Sequence, residues 1–419
     1  MDFKGKKLLI LAGAGVHSKV VRAAKEMGIY TIVTDYLEDS PAKQIADEAW
    51  LTDIMDTESI VKKCRETGVD GVVNFCIDPA QWPYFKICKE LGLPCYGTEK
   101  EFEILTDKVA FKKFCRDHQV DVIPDYTLDD IKENRAEYPV FIKPSMSRGS
   151  RGQFICYNRE EAEEAWHRAE KESLDGNALC EKYMAGKQDL ATAYFVIGGE
   201  PYLVKFGDRL LGSKSDGLDK QVMCTRLPSV FSGIYEKNVS ERVKNMIRKM
   251  GVKFGPVFMQ GFVDGDTIRY YDPARRMPGG DYDLVLKTAT GFDTVKSVIH
   301  FALTGDTEVC YGEPKNAYML NSGTGLLVSL SVRAGRIDKA VGLEKMLLHP
   351  DVVYGRQILP EGSEVPASGD IKQRAAAIGA YVPKGGEPKE LLKKVYETYH
   401  IYDENGDDMI VSRIDADTL

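Results

Sequence analysis

Short apolar segments alternate with amphipathic stretches along the first hundred residues of the chain. Apolar runs occupy residues 7–13, 29–35 and 69–75, and a stretch of helical periodicity lies at 17–27. Apolar runs that alternate with helical periodicity are typical of parallel strands joined by crossover helices. The pattern therefore predicts a Rossmann-like, doubly wound α/β domain over residues 1–100.

The pattern changes character further along the chain. Strand-like runs and helical segments continue to about residue 310, and short β runs with turns, one helix and a final strand fill residues 311–419. The fold class predicted is therefore α/β and α+β multidomain, ending in a small α+β domain. The polar, glycine-containing segment 208–226 is predicted to be a mobile loop near a functional site.

A hairpin is predicted within residues 257–280, where apolar runs flank the turn sequence 264–266. Gln260 and Asp272 lie on its two arms. A three-residue turn, with Gln260 opposite Tyr270, would place both side chains on one face of the hairpin. A two-residue turn would separate them.

Oxygen ligands and cations gather at the end of this hairpin. Asp272 is followed by Arg275, Arg276 and the flexible pair Gly279-Gly280. Mg²⁺ prefers oxygen ligands and usually keeps water and substrate phosphates in its shell, so the segment suits a metal and a phosphate. A surface hairpin with an Asp–Arg salt bridge explains the same residues equally well.

Composition excludes several classes of function. The net charge is −8 and the basic residues are dispersed, so no nucleic-acid partner is expected. The sequence shows neither a signal peptide nor a membrane-spanning apolar stretch, so no membrane is expected either. Nine cysteines without a CxxC pair favour a reducing cytoplasm over a disulfide framework, and scattered histidines argue against a histidine-bound metal.

The first strand is followed by a partial dinucleotide fingerprint. Gly13 and Gly15 follow the strand and Asp35 ends the next one, but the third glycine of the fingerprint is missing. A tight strand-to-helix turn explains the two glycines equally well. Binding of a small substrate at the carboxyl ends of these strands is favoured over NAD.

Lys143 lies within the apolar strand sequence FIKP. An ammonium group is costly to bury without a partner, so a phosphate partner is predicted for it. The polar segment that follows contains Gly149 and Gly152, which allow backbone N–H groups to approach phosphate oxygens.

Lys108, Lys143 with its glycine loop, the segment 181–184, and the hairpin residues Gln260, Asp272 and Arg276 occur in this order along the chain. The ordered set resembles the ATP-grasp superfamily over nearly the whole chain. The resemblance implies a pre-ATP-grasp domain at 1–100, an ATP-grasp domain at 101–310 with a lid lobe at about 121–190, and a C-terminal domain at 311–419 that completes the site. This last part is similar to that of biotin carboxylase and the L-amino acid ligases.

The resemblance also implies roles for single residues. Lys108 and Lys143 match the lysines that reach ATP phosphates, and Lys143 and Arg276 are the expected catalytic residues. The family's ribose acid falls on Gln188, so Asp189 is expected to replace it. The ATP site is then expected to comprise Lys108, Lys143, the lid-loop residues Ser147, Gly149, Ser150 and Gly152, the adenine-binding residues Glu181, Lys182 and Met184, and Asp189.

The family's metal pair of glutamates falls on Gln260 and Asp272. Asp272 is then the one clear carboxylate ligand for Mg²⁺, and whether one or two ions bind is left open. Alanine stands at position 274 where the family pattern has asparagine. Arg276 matches the arginine that holds the anionic substrate or the acyl phosphate.

The activity implied is that of an ATP-dependent carboxylate–amine ligase. A small acid, of amino-acid or peptide-like type, would form an acyl phosphate that a small-molecule amine captures. ATP-dependent carboxylation or formyl transfer on a purine-pathway metabolite is the first alternative. The second is a non-catalytic nucleotide-binding regulator, which the residues at 260 and 274 favour. A homodimer is common among the relatives.

Overall fold

The structure is a computed structural model that describes residues 3–145, 152–173 and 176–419. It combines a parallel α/β unit with antiparallel sheets, so the predicted fold class is confirmed. Among the described ranges, no helix is both long and apolar enough to cross a membrane. Three predicted lid-loop residues lie outside the described residues: Ser147, Gly149 and Ser150.

The N-terminal part is a parallel four-stranded sheet with crossover helices. Its elements are β1 (Lys7–Leu11), α1 (Ser18–Glu26), β2 (Tyr30–Asp35), β3 (Glu48–Leu51), α2 (Thr57–Thr67), β4 (Gly71–Val73) and α3 (Gln81–Leu91). The strand order is β3-β2-β1-β4. Residues 8–11 of the central strand β1 are buried, as expected for a parallel sheet covered on both faces.

Two further helices lead away from this sheet, α4 (Glu99–Thr106) and α5 (Lys108–Asp117). Asp107 lies between them, and its side chain accepts a hydrogen bond from the Ala110 N–H at 2.8 Å. This is an N-cap interaction, which satisfies one of the free N–H groups at the start of a helix. The cap makes Lys108 the first residue of α5.

A small antiparallel sheet, here called the lid sheet, follows. Its elements are β5 (Asp125–Tyr126), α6 (Leu128–Lys132), β6 (Val140–Pro144), β7 (Phe154–Cys156), α7 (Arg159–Glu172) and β8 (Ala178–Lys182), and the strand order is β5-β8-β6-β7. Ile142 and Cys180 pack with alanines of α7 on one face. Because side chains alternate along a strand, Lys143 and Glu181 lie on the opposite face.

The centre of the molecule is a nine-stranded antiparallel sheet. Its first part contains β9 (Asp189–Ile197), β10 (Glu200–Leu211), β11 (Val222–Leu227), α8 (Ser232–Asn238), α9 (Ser240–Met250), β12 (Gly255–Asp264), β13 (Thr267–Ala274), α10 (Tyr282–Thr290) and α11 (Thr294–Thr304). Tyr194 and Met259 pack with α9 on one face. On the other face, Ala193 and Phe195 belong to the core that also contains the N-terminal sheet, α10 and α11.

The C-terminal strands extend this same sheet. Strands β14, β19 and β17 continue the order β13-β12-β9-β10-β11, and β21 pairs with β14. The predicted domain bounds stay predictions. The sheet contains strands from both sides of the bound predicted at residue 310. The C-terminal elements are β14 (Thr324–Val332), β15 (Gly335–Arg336), β16 (Lys339–Val341), α12 (Leu343–Leu347), β17 (Val352–Gln357), β18 (Glu364–Val365), β19 (Arg374–Val382), α13 (Pro388–Thr398), β20 (His400–Tyr402) and β21 (Ile410–Val411).

The prediction of a loop over residues 208–226 is wrong at both ends of the segment, which are strands. Asp208 pairs with Arg226, and Arg209 pairs with Thr225, in the antiparallel ladder of β10 and β11. The polar Asp208 is tolerated in its strand because its carboxylate accepts from the Ser229 hydroxyl and the Val230 N–H. Strand propensity alone does not reveal such a segment.

Candidate functional site

The hairpin of β12 and β13 has a two-residue turn, because Asp264 pairs with Thr267. The sequence alternative in which a three-residue turn aligns the two candidate ligands is therefore wrong. The expectation that a two-residue turn would separate Gln260 from Asp272 is also wrong, since the two residues are direct partners across the strands.

A β-bulge resolves this contradiction. The register shifts between Gln260 and Gly261, so that Gly261 pairs with Tyr270 while Gln260 pairs with Asp272. Tyr271 is the extra residue on the second strand. The bulge places Gln260 and Asp272 on the same face, because directly opposed residues share a face.

Small residues form the centre of this face. Gln260 lies opposite Ala191 on β9, and Ala191 lies opposite Gly207 on β10. Two pairs further along, and so on the same face, Asp189 lies opposite Arg209. Short side chains therefore lie next to the polar residues of this face.

Lys108 connects α5 to the hairpin. Its Nζ atom lies 3.2 Å from Oδ1 of Asp272, and about a third of each side chain is exposed. Burial acts to lower the pKa of Lys108, but the Asp272 carboxylate outweighs it and the pKa is raised. The lysine is therefore positively charged at neutral pH.

A buried cluster on the lid sheet lies close to this pair. Glu181 accepts from Lys143 and from Lys112, each at 2.5 Å, and all three side chains are nearly inaccessible. Burial raises the pKa of Glu181, but the two ammonium groups lower it to about 2. Burial, together with the nearby charge of Lys108, lowers the pKa of Lys143 despite its pairing with Glu181.

The structure thus brings together four of the predicted residues that are distant in sequence. Lys108 interacts electrostatically with Glu181 and with Lys143 while it contacts Asp272. Sequence reasoning missed Lys112. It lies four residues after Lys108 on α5, and this spacing places two side chains on one helix face.

The predicted adenine-binding residues occupy the end of β8. The backbone N–H of Lys182 donates to the carbonyl of Pro124 at 2.8 Å, and its side chain pairs with Glu137. An adenine contact through the Lys182 backbone would therefore use its carbonyl oxygen. Met184 is buried beyond the strand end, and its role and that of Lys182 stay predictions.

Asp189 and Gln260 are joined by one guanidinium group. Nη1 of Arg209 lies 2.7 Å from Oδ2 of Asp189, 2.9 Å from Oε1 of Gln260 and 3.0 Å from the Tyr271 hydroxyl. Tyr271 in turn donates to Gln260 Oε1 at 2.8 Å. Sequence reasoning missed Arg209 because it fell in the predicted loop.

Two neighbouring arginines have different environments. Arg275 is fully buried and donates to Glu101 at 2.9 Å and to the backbone carbonyls of Pro256 and Phe254 at 2.5 and 2.7 Å. Arg276, the predicted substrate arginine, is also largely buried, but its partner Asp78 is mostly exposed.

Asp78, in the loop after β4, accepts two hydrogen bonds from the guanidinium group of Arg276. The two contacts are 2.5 Å from Nε and 2.6 Å from Nη2. More than half of the Asp78 side chain is exposed, whereas Arg276 is nearly buried. A bidentate arginine of this kind can hold a carboxylate of a ligand as well as one of the protein.

A second buried charged cluster lies where the N-terminal sheet meets α10. Lys19 pairs with Asp281 at 3.0 Å and with Asp283, and Arg356 approaches Asp281 at 3.0 Å. Lys205, on the same face as Arg209, is buried with its ammonium group 4.8 Å from the Tyr282 ring centre. Its pKa is lowered to about 7, chiefly by burial.

A cavity of about 740 Å³ lies beside the Glu181 cluster, between α5 and the edge of the lid sheet. It shares residues with that cluster, but Asp272 and Lys143 do not line it. Its lining includes Lys108, Lys112, Arg116, Tyr126, Trp166 and Glu181.

The residues fit a divalent cation only in part. In the described part of the chain, no group of three or more His, Cys, Asp or Glu side chains could hold a metal. Asp272 can supply one carboxylate to a Mg²⁺ whose other ligands are phosphate oxygens and water. Gln260 does not fit, because its amide oxygen already accepts from Arg209 and Tyr271.

Comparison with known proteins identifies the fold. The sequence-family model of the carbamoyl-phosphate synthase L chain ATP-binding domain matches residues 107–193, which include Lys108, Lys143 and Glu181. The crystal structure of an L-amino acid ligase from Bacillus licheniformis superposes with a TM-score of 0.76 at 17% identity, covering 96% of this chain and 100% of that one. Together these matches confirm the ATP-grasp fold.

Two curated relatives share more sequence over a shorter length. The small subunit of 2-oxoglutarate carboxylase from Hydrogenobacter thermophilus is 29% identical over 49% of this chain and 48% of its own length. The formate-dependent phosphoribosylglycinamide formyltransferase of Prochlorococcus marinus is 28% identical over 41% of this chain and 45% of its own length. The chain thus spans about half the length of these relatives.

Proposed function

We propose that this protein is an ATP-dependent ligase. It activates the carboxylate of a small acid as an acyl phosphate, which a small-molecule amine captures with release of ADP and phosphate. The contact between Lys108 and Asp272 carries the proposal, because it places a cation of α5 and a carboxylate of the hairpin beside the lid-sheet lysine Lys143.

The phosphate chain is assigned to this junction. Lys108 and Lys143 are the cations that face it, and Gly152 at the end of the lid loop has a φ of +69° that suits a backbone turned towards an anion. Glu181 positions Lys143 through its 2.5 Å ion pair rather than contacting the nucleotide directly. Lys182 and Met184 are assigned to the adenine edge and Asp189 to the neighbourhood of the ribose.

Asp272 would hold the Mg²⁺ that accompanies the nucleotide. When bound, this ion neutralises charge on the phosphate oxygens that the reaction transfers. Lys108, which lies 3.2 Å from Asp272, contributes charge of the same sign. No covalent enzyme intermediate is needed, since positioning and charge neutralisation account for most of the catalysis of such steps.

Arg276 is assigned to the acid substrate. Its guanidinium group, which donates two hydrogen bonds to Asp78, is the predicted substrate-binding group. In the first step an oxygen of the acid attacks the γ-phosphorus and ADP leaves. In the second step the amine nitrogen attacks the acyl carbon, phosphate leaves, and the nitrogen loses a proton. The lid sheet shields the acyl phosphate from water.

ADP release tests this assignment. The full chain is incubated with Mg·ATP and pools of small acids and amines, and ADP is measured with each pool alone and with both. Release that requires an acid and an amine together supports ligation. Release that depends on neither pool contradicts it.

Carboxylation or formyl transfer is the second candidate function. It is favoured by the sequence relatives, whose names describe a 2-oxoglutarate carboxylase and a formate-dependent formyltransferase. ADP release that depends on bicarbonate or formate would select it. Nucleotide binding without turnover under every condition would select the regulator instead, in line with Gln260 and Ala274.

A further inference from the structure

Arg209 donates a hydrogen bond to Oε1 of Gln260, the atom that would bind a metal ion at this position. A single nitrogen of its guanidinium lies within 3.0 Å of three oxygens, those of Asp189, Gln260 and Tyr271. Arginine is always charged, so a guanidinium cation lies beside Gln260, with the Asp189 carboxylate as its partner. The amide of Gln260 contributes no negative charge to balance it.

The network is too buried to be a loose surface contact. Less than a fifth of the Arg209 side chain and less than a tenth of the Asp189 side chain are exposed. Burial raises the pKa of Asp189 to about 6 although Arg209 acts to lower it. Removal of one member would leave a buried charge without its partner, which makes rearrangement around a metal unfavourable.

The β-bulge contributes a residue to the same hydrogen-bond network. It inserts Tyr271 beside the paired residues Gln260 and Asp272, and the inserted hydroxyl donates to the Gln260 amide oxygen. The Tyr271 ring stacks on Phe262 at 5.1 Å between centres, which holds the hydroxyl in place. Both hydrogen bonds to the amide oxygen therefore come from groups with little freedom to move.

We propose that Arg209 supplies, at Gln260, the positive charge that a second divalent cation would bring, so that the nucleotide site holds one divalent cation, at Asp272. The inference rests on the proposed nucleotide site. A divalent cation close to Gln260 would meet the guanidinium at short range, and the carboxylate of this network, that of Asp189, is already paired with Arg209. Arg209 is thereby a charge-supplying residue of the phosphate region.

The number of bound ions tests the inference. Mn²⁺ is titrated into the full chain with saturating ADP, and free Mn²⁺ is measured by electron paramagnetic resonance. We expect one nucleotide-dependent Mn²⁺ per chain, at least about tenfold weaker binding in Asp272→Asn, and an unchanged count in Gln260→Leu. The double variant Arg209→Met with Gln260→Glu restores a carboxylate and removes the cation, and should bind two.

The remaining outcomes are separable. Two ions in the unaltered chain, or one ion that is lost in Gln260→Leu and kept in Asp272→Asn, would overturn the inference and leave the ligase proposal standing. Failure of the chain to bind ADP with or without Mn²⁺ would overturn both. The ion count of the unaltered chain decides the matter even where the double variant does not fold.

Discussion

Lys108 lies 3.2 Å from Asp272, although one residue begins a helix before the lid sheet and the other lies near the end of the central hairpin. The contact depends on two local features. The Asp107 cap starts α5 at Lys108, and the bulge at Gln260 turns the hairpin face towards it. A helix cap and a single inserted residue thus position the proposed phosphate site.

Glu181→Gln should destabilise the fold strongly. The substitution leaves Lys112 and Lys143 buried without a carboxylate, and breaking a buried ion pair costs roughly 3–5 kcal/mol. Urea unfolding measures the free energy. Glu137→Gln is the matched control, since it removes the exposed partner of Lys182 and should change the unfolding free energy far less.

The same pair of variants should differ in pH dependence. The pKa of Glu181 is about 2 in the folded chain and 4.5 ordinarily, so its stabilisation is complete above 4.5 and is lost as pH falls towards 2. The difference in unfolding free energy between the unaltered chain and Glu181→Gln should therefore shrink over this range. A constant difference would contradict the ion-pair explanation.

Arg275 and Arg276 should respond differently to replacement by methionine. Arg275→Met removes the hydrogen bonds to Glu101 and to the backbone carbonyls of Tyr96, Phe254 and Pro256, so we expect a loss of about 3 kcal/mol or more of stability. Arg276→Met should leave the fold largely intact and raise KM for the acid substrate. Unfolding and steady-state kinetics on both variants check this, and equal stability losses would contradict the assignment.

Asp78→Asn should improve binding of the acid. The Asp78 carboxylate holds both arms of the Arg276 fork, and a substrate carboxylate has to displace it. Because Asp78 is largely exposed, the pair is worth little, and KM for the acid should fall by about two- to tenfold at unchanged nucleotide affinity. A rise in KM would show that Asp78 itself contacts a substrate.

Lys205→Met should stabilise the protein. Lys205 has a folded pKa of about 7 against 10.5 ordinarily, so its burial opposes folding fully at and below pH 7 and progressively less up to 10.5. We expect a gain of about 2 kcal/mol at pH 6.5 that becomes smaller at pH 9.5. A loss of stability at pH 6.5 would mean that a buried anion partners the lysine.

The sequence predicted those parts that depend on local pattern. The alternation at 7–75 marks the parallel sheet, and the lysine in FIKP was identified from the cost of a charge in an apolar strand. The order of motifs led to the ATP-grasp fold. These signals lie within a few residues of one another or repeat in a fixed order.

The missing parts depend on long-range pairing. Nothing in the sequence shows that Tyr271 is an inserted residue, because a bulge is fixed by the register of the partner strand. Arg209 was hidden for a similar reason, since its strand is polar and is held by neighbouring strands. The burial of Glu181 between two lysines likewise needs the packing of α5 on the lid sheet.

Binding of Mg·ADP tests the central claim most directly, because the proposal needs Lys108, Lys143 and Asp272 at one nucleotide. Titration calorimetry on the unaltered chain should show binding that weakens at least about tenfold in Lys108→Met and in Lys143→Met. Lys113→Met, on the exposed side of α5, is the matched control and should bind as the unaltered chain does. Full affinity in Lys143→Met, or no binding by the unaltered chain, would contradict the account.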